Sequence, residues 1–395
     1  MEPSQQYKFL RHALRDGRSF NSKSSFWDRV HLDPWLLLLL VLNALFGLII
    51  VYSATSEDGS MLARQASSFV IGFIVLIVFA QIPPKVYQVI SPYLYAVSIV
   101  LLALVLVVGE VRLGAKRWIS IPGLGSMQPS EIMKFAMPLM MAWYFSRKTI
   151  PPKLSHVIIA LCLMMIPFVL VVLQPDLNIG LIIPGIFVIF LSGISWRIIL
   201  GGFGAFAALA PLAWMFVLQE YQTKRIVTLF DPEADSLGAG WNIIQSKIAI
   251  GSGGLVGKGF TDGTQSHLGY LPEHHTDFIM STLAEEFGFL GVLTLFILFT
   301  AIILRCLFIS LNSFHSFGRL YVGATALTFF FFVLLNAGMV SGVLPVTGDP
   351  LPLMSYGGTA VIATISAMCI MMSMQTHREV KSLNDLLRFT TTYLS

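Results

Sequence analysis

The sequence predicts an all-α polytopic membrane protein, with about ten transmembrane helices and a large extracytoplasmic loop between the seventh and eighth. Three observations carry this. Hydrophobic residues make up 55% of the 395-residue chain and charged residues only 12%, with a mean hydropathy of +0.77. A soluble globular chain carries roughly 25% charge. Apolar runs recur at lengths of about 17–25 residues, enough to cross a bilayer as helices. Between the later runs lies one long polar, glycine-rich stretch, residues 220–276.

The expected spans follow in order. They are 35–54, 62–80, 91–108, 129–146, 154–173, 178–195, 198–219, 277–304, 319–341 and 354–375. The fifth and sixth are separated by Gln174-Pro175-Asp176-Leu177-Asn178, so a single kinked element competes with two spans there. Residues 1–34 form a basic arm, 35–378 the transmembrane domain and 379–395 a short tail.

Lys and Arg set the expected orientation. Lys8, Arg11, Arg15, Arg18, Lys23 and Arg29 precede the first span, and an even number of spans returns Arg378, Lys381 and Arg388 to the same side. With both termini in the cytoplasm, sixteen Lys and Arg fall inside and eight outside, as the positive-inside rule requires. The 220–276 loop is then outside. The formal net charge of +4 is accounted for by the inside loops, so no nucleic-acid partner is implied. The first thirty residues are polar and basic, without the short apolar core of a cleavable signal. Cys162 and Cys369 fall within spans and Cys306 at the end of one, so neither a disulfide framework nor a zinc site follows from them.

Four polar constellations interrupt the apolar background. Gly114-Ala115-Lys116-Arg117-Trp118-Ile119 follows the third span. A basic pair beside an indole suits phosphate and sugar at an interface, and equally suits an interfacial anchor. Met127-Gln128-Pro129-Ser130-Glu131 is a well-formed helix start, with Pro129 at the first helical position and Glu131 at the third. Lys134, one turn deeper, is placed to pair with Glu131; snorkelling to the surface is the alternative. In Gln174-Pro175-Asp176, the carboxylate either caps the next helix or lines a cavity shared with the other outer charges.

The fourth constellation is the large loop itself. It holds Lys224-Arg225, Phe230-Asp231-Pro232, Gly240-Trp241-Asn242 and the run Gly251-Ser252-Gly253-Gly254-Leu255-Val256-Gly257-Lys258-Gly259. Such glycine density admits close approach of backbone N–H groups to a phosphate, or simply a re-entrant loop. It is not a Walker motif. The loop ends in Leu271-Pro272-Glu273-His274-His275-Thr276-Asp277-Phe278-Ile279, a carboxylate at the mouth of a long apolar helix. A carboxylate there is costly to hold and marks a functional position. Glu285 and Glu286 are expected on the same helix, about 12 Å along the axis from Asp277. That exceeds the separation of a glycosidase carboxylate pair, so a single-base mechanism is indicated. His274 and His275 lack a third metal ligand in sequence.

These motifs, taken in order with Leu351-Pro352-Leu353-Met354-Ser355-Tyr356-Gly357-Gly358, resemble the SEDS family (shape, elongation, division and sporulation proteins) over about residues 35–378. Gly257-Lys258-Gly259 and Gly338-Met339-Val340-Ser341-Gly342-Val343-Leu344-Pro345-Val346 are similar to its RodA branch rather than its division-specific FtsW branch. Asn178, Asp349 and Thr359 depart from the family pattern, and none touches the Asp277 motif.

The resemblance implies ten helices and a peptidoglycan glycosyltransferase that polymerises lipid II into β-1,4 glycan strands for cell elongation and rod shape. It places the chain in the bacterial cytoplasmic (inner) membrane. The implied partners are lipid II, membrane lipid, a class B penicillin-binding protein transpeptidase and other elongation-machinery proteins. The family's essential aspartate falls on Asp277 and its loop tryptophan on Trp118. Lys116, Arg117, Glu131, Lys134 and Lys224 match charged positions of its motifs. The chemistry needs a base for the attacking hydroxyl and cations for the departing pyrophosphate, with or without a divalent ion such as Mg or Mn. Two other classes compete: a lipid-linked precursor flippase, and a non-catalytic scaffold for the penicillin-binding protein.

Overall fold

The computed structural model describes residues 27–377 apart from 28–29, 56–57, 113–114, 122–124, 150, 175–178, 205–207, 209–222, 224, 226, 230, 236–237, 314 and 347. Seven of its helices are long and apolar enough to cross a membrane. They are α1 (Pro34–Ala54), α2 (Gly59–Ala80), α3 (Pro84–Val108), α5 (Leu154–Val172), α9 (Ile279–Leu311), α10 (Ser316–Val340) and α11 (Gly358–Thr376). Their starts follow local chemistry. Asp33 caps α1, its Oδ1 accepting from the Leu36 N–H at 2.8 Å, with Pro34 at the first helical position. Asp58 caps α2 in the same way through Ser60.

The three remaining expected spans differ. Span 129–146 is helix α4 (Pro129–Ser146), but Glu131 and Lys134, with its Pro, Ser, Trp and Tyr residues, lower its hydropathy, so it is not among the seven. Span 178–195 is broken into a 3-10 turn (Ile179–Leu181) and the short helix α6 (Ile183–Leu191). Pro184 opens α6, and Gly193, at φ +75°, follows its end. Span 198–219 lies largely outside the described residues.

The all-α expectation needs one correction. Residues after α3 form a small antiparallel sheet of β1 (Glu110–Arg112), β2 (Ala115–Ile121) and β3 (Gly125–Met127), in that order. Glu110 faces Trp118 across β1–β2, and Ile119 faces Met127 across β2–β3. The reason is local: Trp118-Ile119-Ser120-Ile121 is a short strand-forming run, and Gly114 and Pro122 bound the strand that contains it. The large loop is also not uniformly irregular. It contains α7 (Ala239–Gly253) and the one-turn α8 (Thr264–His267).

Of the seven, α10 and α11 are the most enclosed, 61% and 56% of their apolar windows being buried, against 22% for α2. They pack with α4, α9 and the inner face of α2 around a core rich in Met, Leu and Phe. The exposed faces of α2, α3 and α5 are almost continuously apolar, as lipid contact requires.

Two glycines fix how the large loop meets the bundle. Gly257 (φ +84°) lies so close to α9 that an added Cβ would sit 2.0 Å from the Glu286 carbonyl oxygen. Gly288 (φ +61°) breaks the α9 backbone where Gly257 and Leu255 press against it. The glycine run thus serves close backbone packing of the loop on α9.

Candidate active site

Asp277 lies in the turn that precedes α9, not on the helix itself as the sequence suggested. The turn is held by its own backbone: the N–H groups of Thr276 and Phe278 both donate to the Glu273 carbonyl, at 3.2 Å each. Glu273 takes a left-handed conformation (φ +55°) to allow this. Tyr356 N–H donates to the His275 carbonyl at 2.9 Å, tying the turn to the loop before α11. Asn336 of α10, buried, donates its amide to the Asp277 carbonyl at 2.9 Å and to the Asp349 carbonyl at 3.3 Å.

The electrostatics of this corner are mixed. The Asp277 carboxyl is pushed up to about 6, first by burial and then by the neighbouring carboxylates of Glu273 and Asp349. Arg225 and Arg117 oppose the shift, which places two guanidinium groups within electrostatic reach of it. A carboxylate in this range is a competent base near neutral pH. His275 moves the other way: burial and the adjacent His274 lower its pKa, so it is neutral at pH 7.

Beside Asp277 the expected helix-start pair is present and extended. Lys134 Nζ lies 2.8 Å from Glu131 and 3.4 Å from Asp349, with side chains only 14%, 10% and 5% exposed. Lys134 therefore points into the bundle rather than snorkelling. Asp349, whose role the sequence left blank, joins this buried triad while its backbone is held by Asn336. A polar cavity reaches the triad, and an apolar one lined by Phe135, Phe329 and Phe332 continues from it between α4, α10 and α11.

The structure brings together Asp277, Arg117, Glu131 and Lys134 of the expected site. Trp118 stands next to Arg117 on β2, half-buried. Lys116 is placed on the same strand by its backbone alone. Lys224 and Asp176 lie outside the described residues. Sequence reasoning did not place Asp349, Asn336 or Arg225 beside Asp277. Asp349 carried the one usable signal, an acid where an apolar residue is usual.

Glu285 and Glu286, both fully buried, belong to a separate network. Glu285 Oε1 accepts from Lys258 Nζ at 2.6 Å and from the Thr264 and Gln265 N–H groups at 2.9 and 3.0 Å. Glu286 Oε1 accepts from Ser53 Oγ at 2.5 Å and lies 3.1 Å from His267 Nε2. These acids fasten the glycine-rich loop to α9 and α1. Among the described residues no group of three His, Cys, Asp or Glu side chains is placed to hold a metal ion.

Comparison with known proteins assigns the family and the fold. The FtsW/RodA/SpoVE family model, described as cell cycle protein, matches residues 34–380. The chain is 47% identical to peptidoglycan glycosyltransferase MrdB of Escherichia coli K12 over 91% of its own length and 98% of that relative. It is 33% identical to stage V sporulation protein E of Bacillus subtilis, over 86% of this chain and 96% of the other. Among solved structures, a chain of a peptidoglycan synthase complex that coordinates polymerization and crosslinking aligns with a TM-score of 0.78 at 30% identity, covering 88% of this chain and 99% of that one. The crystal structure of the rod shape determining protein RodA from Thermus thermophilus aligns with a TM-score of 0.67 at 28% identity, covering 88% and 98%. The chain thus belongs to the FtsW/RodA/SpoVE family, with the fold of its RodA members.

Proposed function

We propose that Asp277 is the general base of a glycan polymerase acting on lipid II. That the chain is a peptidoglycan glycosyltransferase of cell-shape synthesis follows from its 47% identity to MrdB along nearly the whole of both chains. The observation behind the residue assignment is the Asp277 carboxyl, raised to about 6 and flanked by Arg117 and Arg225.

The reaction joins a sugar 4-hydroxyl to the anomeric carbon of a lipid-pyrophosphate-linked donor. Asp277 takes the hydroxyl proton as the new C–O bond forms. The bond from the anomeric carbon to the pyrophosphate breaks, and the pyrophosphate leaves with the electron pair. One attack of this kind inverts an α-linked donor to a β-1,4 product. Arg117, Arg225, Lys134, Lys116 and Lys224 are the cations for the departing charge. The apolar cavity beyond Lys134 is suited to lipid. A divalent cation such as Mg or Mn would add countercharge, but no ligand set for it is gathered among the described residues, so no step is assigned to it.

The topology proposed with this mechanism has ten spans, both termini cytoplasmic, and the 220–276 loop outside. Residues 1–34 and 379–395 are then cytoplasmic, flanking the 35–378 membrane domain. The transpeptidase partner is a class B penicillin-binding protein, in keeping with the likeness to a synthase complex that couples polymerization to crosslinking.

Purified chain incubated with lipid II, alone and with its transpeptidase partner, tests this reading. Wild type forms glycan strands and Asp277→Asn forms none. Wild-type rates from Asp277→Asn would remove the base assignment. A flippase would instead move lipid II across vesicles without polymerising it, and a scaffold would do neither.

A further inference from the structure

The opposite end of the bundle carries a second polar cavity. It lies between the end of α4, the chain following it, the end of α6 and the first turn of α10. Its walls include Lys148, Arg319, Ser146, Thr149 and Ser316, with Leu191 and Leu320 as apolar lining. Helix α4 separates it from the Glu131–Lys134–Asp349 triad by most of its 18 residues, roughly 20 Å or more. It is therefore a different site on a different face of the bilayer.

The segments around the cavity carry charge of one sign. Segments 147–153, 192–198 and 312–319 contain Arg147, Lys148, Lys153, Arg197 and Arg319 and no Asp or Glu. Aromatic faces position two of these cations without neutralising them. The Arg147 guanidinium lies 4.3 Å from the Trp143 ring and Lys148 Nζ 5.0 Å from the Tyr144 ring. At the end of α6, beside the cavity, Phe190 and Leu191 are 59% and 40% exposed. Cations, hydroxyls and an apolar flank at one bilayer boundary match a phosphate ester that carries hydrocarbon chains.

We propose that this cavity binds the headgroup of an anionic glycerophospholipid, Lys148 and Arg319 pairing with its phosphodiester and the hydroxyls of Ser146, Thr149 and Ser316 with its glycerol. The assignment of this face to the cytoplasmic leaflet rests on the proposed topology; the binding chemistry does not, and its test does not involve glycan synthesis.

Excess positive charge at an inner membrane face attracts anionic lipid diffusely, so the test must separate a site from a field. The full chain, purified in neutral detergent and stripped of lipid, is titrated with dioleoyl phosphatidylglycerol and read by native mass spectrometry. One molecule is expected to bind well above the background, and dioleoyl phosphatidylcholine is not. Lys148→Gln with Arg319→Gln should lower that affinity about tenfold or more. Arg147→Gln with Lys153→Gln, which removes the same charge outside the cavity, should change it less than threefold. Lys148→Gln alone carries the test if the first double variant fails to fold by thermal melting. Equal losses from the two double variants would reduce the site to diffuse attraction. Displacement by equimolar glycerol phosphate would make the ligand a free phosphate ester and overturn the lipid assignment, as would equal binding of phosphatidylcholine.

Discussion

The Asn336 side-chain amide lies 2.9 Å from the Asp277 backbone carbonyl, and the same amide reaches the Asp349 carbonyl at 3.3 Å. One α10 side chain therefore holds two acidic turns, 72 residues apart in sequence, at one corner. Asn336→Leu keeps the approximate volume and leaves both carbonyls without this donor. It should destabilise the fold by about 1–3 kcal/mol and lower the polymerisation rate about tenfold or more, because positioning errors act on the chemical step. Thermal melting and a lipid II titration separate the two effects. A normal turnover rate at saturating lipid II would show that Asn336 only supports the fold.

The pH profile of polymerisation tests Asp277. A base must be deprotonated, and its carboxyl is raised to about 6. The rate should therefore rise as pH increases through about 6 and level off near neutrality. An ordinary exposed aspartate would level off near pH 4–5 instead. The Asp277→Asn variant should be inactive at every pH yet at least as thermally stable as wild type at pH 7. The sign follows from the raised pKa: below the unfolded value of 3.8 the group is protonated in both states, and as pH rises toward 6 its ionisation increasingly disfavours the folded state. A marked loss of stability in Asp277→Asn would point to a structural carboxylate.

Much of this site is legible in the amino-acid sequence, and its limits have physical causes. Pro129 and Glu131 announce a helix start, and three-residue spacing alone brings Lys134 to Glu131. Seven apolar windows become helices because length and composition suffice to specify them. The sheet at Lys116–Trp118 was missed because three strands of three to seven residues give too short a pattern beside long apolar runs. Asp349 joins Lys134 across 215 positions, and Arg225 reaches Asp277 across 52. No periodicity encodes contacts of that kind. The α6 break depends on Pro184 and Gly193 in a run whose hydropathy suggests an unbroken span.

The buried triad predicts non-additive mutations. Lys134→Gln leaves Glu131 and Asp349 facing each other without a cation and should destabilise the protein by about 3–5 kcal/mol. Asp349→Asn retains the Lys134–Glu131 pair at 2.8 Å and should be milder. Combining the two should recover part of the stability lost in Lys134→Gln, since one carboxylate is gone. Melting temperatures of the three variants check this; strict additivity would mean the triad is not coupled.

The loop anchor predicts a steric failure. Gly257→Ala puts a methyl group about 2 Å from the Glu286 carbonyl, at a φ of +84° that disfavours any side chain. The loop must then leave α9, exposing Glu285 and Glu286, which are 0% and 1% accessible. Protease should cut Gly257→Ala between Gly253 and Gly263 under conditions where wild type is intact. Resistance equal to wild type would show that the loop accommodates the methyl group by a local shift.

The last prediction concerns the cations around the site. Arg117, on β2, and Arg225, in the large loop, both act on Asp277, and Lys134 lies beside Asp349. Three separate chain segments thus supply positive charge to one corner, as a departing pyrophosphate near low-dielectric lipid requires. Glutamine at Lys116, Arg117, Lys134, Lys224 or Arg225 keeps length and polarity and removes charge. Each cation that contacts the pyrophosphate should cost about 1.5–3 kcal/mol when lost, roughly 10- to 100-fold in rate at limiting lipid II. Arg117→Gln and Arg225→Gln should have a second effect, because both residues hold the Asp277 pKa down. Without either one the acid limb of the pH profile should move to higher pH. An anchoring residue that merely sits among headgroups would change neither the rate nor the profile. Normal polymerisation by all five variants would place the pyrophosphate elsewhere. A reduced rate with an unmoved acid limb in Arg117→Gln and Arg225→Gln would keep the cation site and separate it from the base.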